Sequence, residues 1–360
     1  MQLPIWEYLK ELKMKKNSYK FFLVFLALVL CTLSTFGNKN ESNYRIMFYN
    51  VENLFDMDDD PETIDEEFLP KGDRFWNEKK FYNKLNRIFQ VIMAAGEGQL
   101  PAVIGFCEIE NQKVLDLLLF KTALGKLGYK IIHKESPDSR GIDVALIYQK
   151  DLFHPVSYEA IPVIDPGDDQ FKTRDILYVQ GTLGADTLHF FVNHWPSKYG
   201  GVVETKSLRA LAAITLRSKI DSILAINHSG KIVLMGDFND SPFDESISQH
   251  LKAKNNFDTI ETDEIYNLAY PQANANKGTN KYQGKWEMID QIIVSGALLN
   301  DNNGITTTVD QFKIFGPEFL LEDDKNFLGE KPFRTYQGFK YNNGFSDHLP
   351  VLLDLNFMNN

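Results

Sequence analysis

Cysteine is nearly absent from this 360-residue chain: it occurs only as Cys31 and Cys107. Two thiols so placed exclude a disulfide framework, so stability must come from a buried apolar core. Cys107 lies in the apolar run "PAVIGFC" and reads as a core side chain. Repeats with a period of 20–50 residues are missing, which excludes solenoids and propellers. There is no low-complexity tract, and no Pro-, Gly- or Ser-rich linker divides the chain. Positive charge is short as well: 38 Lys and Arg stand against 49 Asp and Glu, a net charge of −11. Such a surface does not draw polyanions from a distance. Any anion must be met by a few local basic groups or by a bound cation.

The longest apolar run, "FFLVFLALVLC" at 21–31, is too short to span a membrane comfortably. It follows the basic stretch "MKKNSYK" and precedes "TLSTFGNKN", the order of a secretory signal. Residues 1–13 carry acids ahead of that basic region, so Met14 is the expected start. An N-terminal extension plus signal is expected over 1–37, with one domain over 38–360. Leu30 before Cys31 is too large for a good lipidation site and disfavours a lipoprotein. Removing 1–37, with its five lysines and two glutamates, leaves 33 basic against 47 acidic side chains, a balance of −14. The expected location is the periplasm or cell surface of a Gram-negative-type envelope. No membrane span is expected after signal removal, and nothing points to a stable protein partner.

Strand-like runs recur at 44–50, 101–107, 142–148, 176–183, 187–195, 231–236, 288–295 and 350–357. Helical spacing places Phe81, Leu85, Ile88, Phe89 and Ile92 on one face, and Leu208, Ala212, Leu216, Ile220 and Leu224 on another. A third helix is expected over 111–126, with Asn111 as its cap. Within 129–195 strands follow one another without helices, so parallel and antiparallel pairing must coexist. The expected fold is α/β: a four-layer sandwich of two packed mixed sheets flanked by helices. Segments 56–75 and 296–345 read as long irregular loops, of a length that in a compact domain usually either lines a site or is disordered.

Polar groups collect where the strands end. "YNVEN" offers Asn50 and Glu52, "CEIEN" offers Glu108 and Glu110, and "VNHWPSK" offers Asn193, His194 and Lys198. "GDFND" offers Asp237 and Asn239, "EMIDQIIV" offers Asp290, and "GFSDHLPV" offers Asp347 and His348. Each alone has an ordinary structural reading as a turn residue, a cap or a buried partner. Six strand ends bearing metal-binding, acid–base or amide groups point together to one site.

In this order the motifs resemble the endonuclease/exonuclease/phosphatase superfamily, the deoxyribonuclease-I-like fold. The resemblance runs from Tyr49 to Val351 and implies a Mg²⁺-dependent phosphoester hydrolase, with Mn²⁺ as a substitute. It implies Glu108 as the main metal ligand with Asn50 beside it, and Asp347 in that shell or on a second ion. It implies His348 as a contact to the phosphoryl oxygens or as base, held by Asp290. Asp237, helped by Asn239, would handle the attacking water, and His194 would protonate the leaving oxygen or stabilise its charge. The residue chemistry is consistent: Mg²⁺ prefers carboxylate and amide oxygens, and phosphoester cleavage needs charge neutralisation and leaving-group assistance.

Glu52 stands where many members of that superfamily have another residue, which leaves its role open. After His194 come Lys198, the Gly200–Gly201 turn, Lys206 and Arg209, which suit either phosphate binding or a solvated loop leading into a helix. Arg140 and Arg334 either grip substrate or pair with acids. The favoured substrate is a phosphodiester, DNA or RNA. The alternatives are a sphingomyelinase-like or an inositol- or sugar-phosphate phosphatase activity on the same site, and a non-catalytic binding protein.

Overall fold

The computed structural model of the chain describes residues 43–300 and 304–358. The extension and signal expected over 1–37 lie outside the described residues. Alternating and continuous apolar runs form two large sheets. The first has the order β13-β19-β1-β2-β4-β3: Gly304–Thr306, Val351–Met358, Asn43–Leu54, Val103–Ile109, Asp143–Gln149 and Tyr129–His133, with β14 (Phe312–Ile314) also on β19. The second has the order β5-β6-β7-β8-β12-β9: Phe153–Ile161, Ile176–Leu183, Asp186–His194, Lys231–Asp237, Asp290–Ser295 and Ile265–Asn267. Both are mixed: β1–β2 and β7–β8 run parallel, and the other neighbours within the two sheets are antiparallel.

Three apolar layers hold these sheets and their helices. One face of the first sheet packs on α1 (Glu78–Gly96) and α2 (Gln112–Lys121), burying Phe81, Leu85, Ile88 and Ile92. One face of the second packs on α3 (Lys206–Ile226) through Ala212, Leu216, Ile220 and Leu224. The remaining faces meet each other through Ile46, Phe48, Val103, Leu146, Val192, Val233, Met235 and Leu353. Helix, sheet, sheet and helix therefore stack as the sequence pattern predicts. Asn111 caps α2 by accepting the Val114 amide, but the helix ends at Lys121 rather than 126.

Some elements have no clear sequence signal. β5 is a partly exposed edge strand that carries Pro155 and a register shift after it, both of which discourage further pairing. The supposed loop 296–345 carries short hairpins: β15 (Leu321–Asp323) pairs with β16 (Glu330–Pro332), and β17 (Tyr336–Gln337) with β18 (Lys340–Tyr341). β10 (Asn280–Tyr282) and β11 (Lys285–Glu287) form another hairpin ahead of β12. No described helix is long and apolar enough to cross a membrane.

Gly105, in the middle of β2, sets how closely the sheets approach. A Cβ there would lie 3.0 Å from the Met235 sulfur and 3.2 Å from Val192 Cγ1. Gly105→Val should therefore overpack the inter-sheet layer and cost about 1–3 kcal/mol. A shifted midpoint in urea unfolding with an unchanged slope checks this.

Candidate active site

Strand direction explains why six distant motifs meet. β1 and β2 are parallel, so Asn50 and Glu108 emerge at the same end of their sheet. β19 is antiparallel to β1, so Asp347 and His348, which precede it, enter at that end. In the other sheet β7 and β8 are parallel, with His194 opposite Asp237, and antiparallel β12 starts at Asp290 opposite the same Asp237.

Local backbone distortion then aims the side chains. The pairing of β2 with β4 shifts between Cys107 and Ile109, and Glu108 between them has φ +61°. A matching irregularity in β1 places Glu52 at φ +54° and Asn53 at φ +55°. Bulges of this kind break the two-residue alternation and re-aim a side chain next to a site. Gly236 has a steric reason: a Cβ there would lie 2.5 Å from the Asn193 carbonyl oxygen, so β7 and β8 could not pair this closely just before the site.

Asp237 is the hub. Its Oδ1 accepts the Asn239 amide at 2.9 Å, and its Oδ2 accepts Asn50 Nδ2 at 3.1 Å. The same Oδ2 lies 3.9 Å from His194 Nε2 and 3.8 Å from His348 Nε2. Burial, partly countered by His348, pushes the Asp237 carboxyl up to about 7. His348 Nδ1 lies 2.7 Å from Asp290 Oδ2, and Thr279 Oγ1 donates to that same oxygen. Burial alone would lower the His348 pKa, but Asp290 and Asp237 outweigh it and raise it well above the usual value. His194 goes the other way: burial first, then the Arg174 charge, hold it neutral.

A second group flanks this hub. Arg334 donates from Nε to Glu52 at 3.1 Å and pairs through its other arm with Asp347 at 2.9 Å. Glu52 also accepts the Thr335 amide at 2.6 Å and faces buried Lys84 at 4.0 Å. Burial lowers the Lys84 pKa to about 8. Glu108 accepts Asn50 Nδ2 at 3.2 Å and the Asn53 amide at 2.8 Å. Beyond Arg334 and Asp347 opens a cavity of about 260 Å³, lined in part by Asn280, Tyr282, Gln283, Asn326, Phe327 and Gln337.

The family model described as Endonuclease/Exonuclease/phosphatase family matches residues 45–357. The chain belongs to the endonuclease/exonuclease/phosphatase family. It is a phosphoric ester hydrolase of that family, built on its fold. A Bacteroides thetaiotaomicron protein of the endonuclease/exonuclease/phosphatase family superposes with a TM-score of 0.54 at 15% identity, over 89% of this chain and 99% of that one. D. rerio TDP2, humanized by 14 mutations, gives 0.54 at 13% identity over 88% and 99%. The human Nocturnin catalytic domain gives 0.51 at 14% identity over 89% and 98%. No curated protein matches the chain.

Against the family motifs, His194, Asp237, Asn239, Asp290 and His348 converge, with Asn50, Glu108 and Asp347 beside them. Three expectations need correction. Asn50 presents its N–H groups, not its oxygen, to Glu108 and Asp237, because its oxygen accepts the Glu52 amide. Arg209 is not exposed for binding: it is buried, with Nε 2.8 Å from Asp240, and it also contacts Thr205 and the Pro196 and Val202 carbonyls. Lys206 pairs with Glu245 at 2.9 Å on a depression shared with Val203, Ser246 and His250, which holds none of the converging residues. Lys198 ties the loop after β7 to Glu287 of β11 at 3.5 Å, and Arg140 leans on Asp138 at 3.3 Å while remaining half exposed.

Sequence reasoning missed four supports. Buried Arg174 donates to the carbonyls of His194 and Trp195 and to Asp138, locking the histidine strand end. Thr279 grips Asp290, Ser346 donates to the Asn50 carbonyl and accepts the His348 amide, and Lys84 sits under Glu52. Only Lys84 had a signal, a charge on the apolar side of a helix. Arg209→Ala should cost about 3–5 kcal/mol of stability, because it strands Asp240 without its partner. Unfolding would show that loss, while KM of the surviving folded enzyme stays unchanged.

Proposed function

We propose that the protein is a secreted, Mg²⁺-dependent phosphodiesterase that cleaves nucleic acid by water attack. The observation that carries this reading is the placement of two histidines, His194 at 3.9 Å and His348 at 3.8 Å, around the one buried carboxylate of Asp237, with their pKa values pushed in opposite directions. His348, charged and held by Asp290, suits the non-bridging phosphoryl oxygens. His194, neutral, suits N–H donation to the leaving oxygen, the second of its two expected roles. Asp237 in its ionised form takes the proton of the attacking water. Asn239, whose Nδ2 is fixed on the Trp195 carbonyl at 3.0 Å, keeps the loop after Asp237 in place.

A divalent cation fits the acids present. Asp290 Oδ1 is buried without a partner, and burial raises both Asp237 and Glu52, the latter further through Asp347. Asp237 and Asp290 are the acids short of positive charge, since Glu52 already faces Arg334 and Lys84. Glu108 and Asp347 would hold the ion, since Mg²⁺ takes carboxylate oxygens and keeps places for phosphate. When bound it neutralises charge building on the phosphoryl group.

Two features favour a nucleic-acid substrate. The cavity beyond Arg334 offers amides and the half-exposed ring of Phe327, groups suited to a sugar and base. Its lysines are already neutralised, Lys281 by Asp324 at 3.1 Å and Lys331 by Glu322 at 3.6 Å, which disfavours a polyphosphorylated head group. A D. rerio TDP2 of the same fold was solved with a single strand DNA product.

EDTA should abolish turnover and Mg²⁺ or Mn²⁺ should restore it, with Glu108→Gln raising the metal concentration required. Full activity in EDTA would remove the metal assignment. His348→Ala and Asp237→Asn should each lower kcat by at least about 10²-fold with the fold intact by circular dichroism. On a panel of DNA, RNA, phosphomonoesters and lipid head groups, the nucleic acids should be cleaved. Turnover confined to the monoesters or lipids would replace this reading with the phosphatase or sphingomyelinase one.

A further inference from the structure

Cys107 is the residue the proposed reaction leaves unused, and it stands directly behind the site. It sits one position before Glu108 on the inter-sheet face of β2, fully buried. One ligand atom each from Cys107, His194 and Asp237 lies within 4.8 Å of the other two. On a tetrahedral zinc ion, metal–ligand bonds of about 2.0–2.3 Å set neighbouring ligand atoms about 3.3–3.8 Å apart. A shift of about an ångström at each side chain closes that difference. A second observation concerns one of the three: His194 is buried, and its Nδ1 has no hydrogen-bond partner. An imidazole with a free nitrogen beside a thiol and a carboxylate is a borderline-soft donor set. Zinc accepts such a set, and magnesium, which wants oxygen, does not.

We propose that Cys107, His194 and Asp237 form a thiophilic-metal site that takes Zn²⁺ and switches the hydrolase off. The thiol gives its proton to solvent as the metal–sulfur bond forms, and no electron is transferred. This rests on the functional reading in one respect: a zinc ion there withdraws Asp237 from the attacking water and His194 from the leaving oxygen. The ion is distinct from the Mg²⁺ expected on Glu108 and Asp347, so excess Mg²⁺ does not displace it from sulfur.

Cobalt(II) titration of the full chain, saturated with Mg²⁺, reads the site without reference to turnover. One equivalent should produce thiolate-to-cobalt absorption in the near ultraviolet, which Zn²⁺ then bleaches. Cys107→Ser should lose the band, and Cys107→Ala is the second variant should serine disturb folding. In the phosphodiesterase assay with excess Mg²⁺, Zn²⁺ should inhibit the wild type. Either variant should raise the inhibitory concentration about tenfold or more, as loss of one of three protein ligands requires. Basal turnover should stay within about twofold, because Cys107 lies behind the reacting groups. A wild type without the thiolate band, or equal Zn²⁺ sensitivity in both variants, overturns the proposal. A band in a protein that cleaves no phosphodiester leaves the metal site standing and removes the functional reading.

Discussion

Everything at the site depends on the close approach of two sheets across one apolar layer. Gly105 gives the first sheet no side chain where Met235 and Val192 of the second press against it. Ile46, Phe48, Val103, Val233 and Leu353 fill the rest of the layer. Burial of this kind has no direction of its own. It becomes specific because the strands on the two sides end together, so the packing that excludes water also brings Asn50 and Glu108 up against His194, Asp237 and Asp290.

That convergence places several ionisable groups where water cannot shield them. The structure meets the cost by pairing: Asp290 with Thr279 and His348, Glu52 with Arg334 and Thr335, Arg174 with Asp138 and two carbonyls. The pairing is incomplete around Asp237, whose carboxyl stays raised to about 7. Burial and Arg174 lower the His194 pKa while Asp290 and Asp237 raise that of His348, so two histidines of the same site are pushed in opposite directions. The charged periphery differs in kind. Lys198, Lys206 and Lys331 each pair across loops or helix ends with an acid, at partial exposure, and such contacts contribute little to stability.

The hairpins between β9 and β19 add what the two sheets lack. They supply Thr279 beneath the Asp290–His348 pair, Arg334 between Glu52 and Asp347, and a walled cavity beside the reacting groups. Backbone pairing within two- and three-residue strands orders a segment whose composition alone suggests only a loop. The strand ends hold the converging polar groups, and these additions wall the cavity beside them.

The sequence by itself determined the layered α/β fold, because apolar periodicity distinguishes sheet faces from helix faces at Ile46–Tyr49, Val233–Met235 and Phe81–Ile92. It also marked most of the residues that converge at one site, because acids, amides and histidines at strand ends have few ordinary reasons to cluster in that order. Tertiary structure decided the rest. Arg209 and Lys206 follow His194 closely in the chain, yet helix α3 turns Arg209 inward onto Asp240 and Lys206 outward onto Glu245, so nearness in sequence did not join them to the converging groups. Arg174 and Thr279 carry no motif and matter only through the carbonyls and the carboxylate that folding sets before them. Whether His194 or His348 holds a proton was likewise closed to sequence, because a pKa is set by burial and by the charges brought within a few ångströms, and only the folded chain fixes those distances.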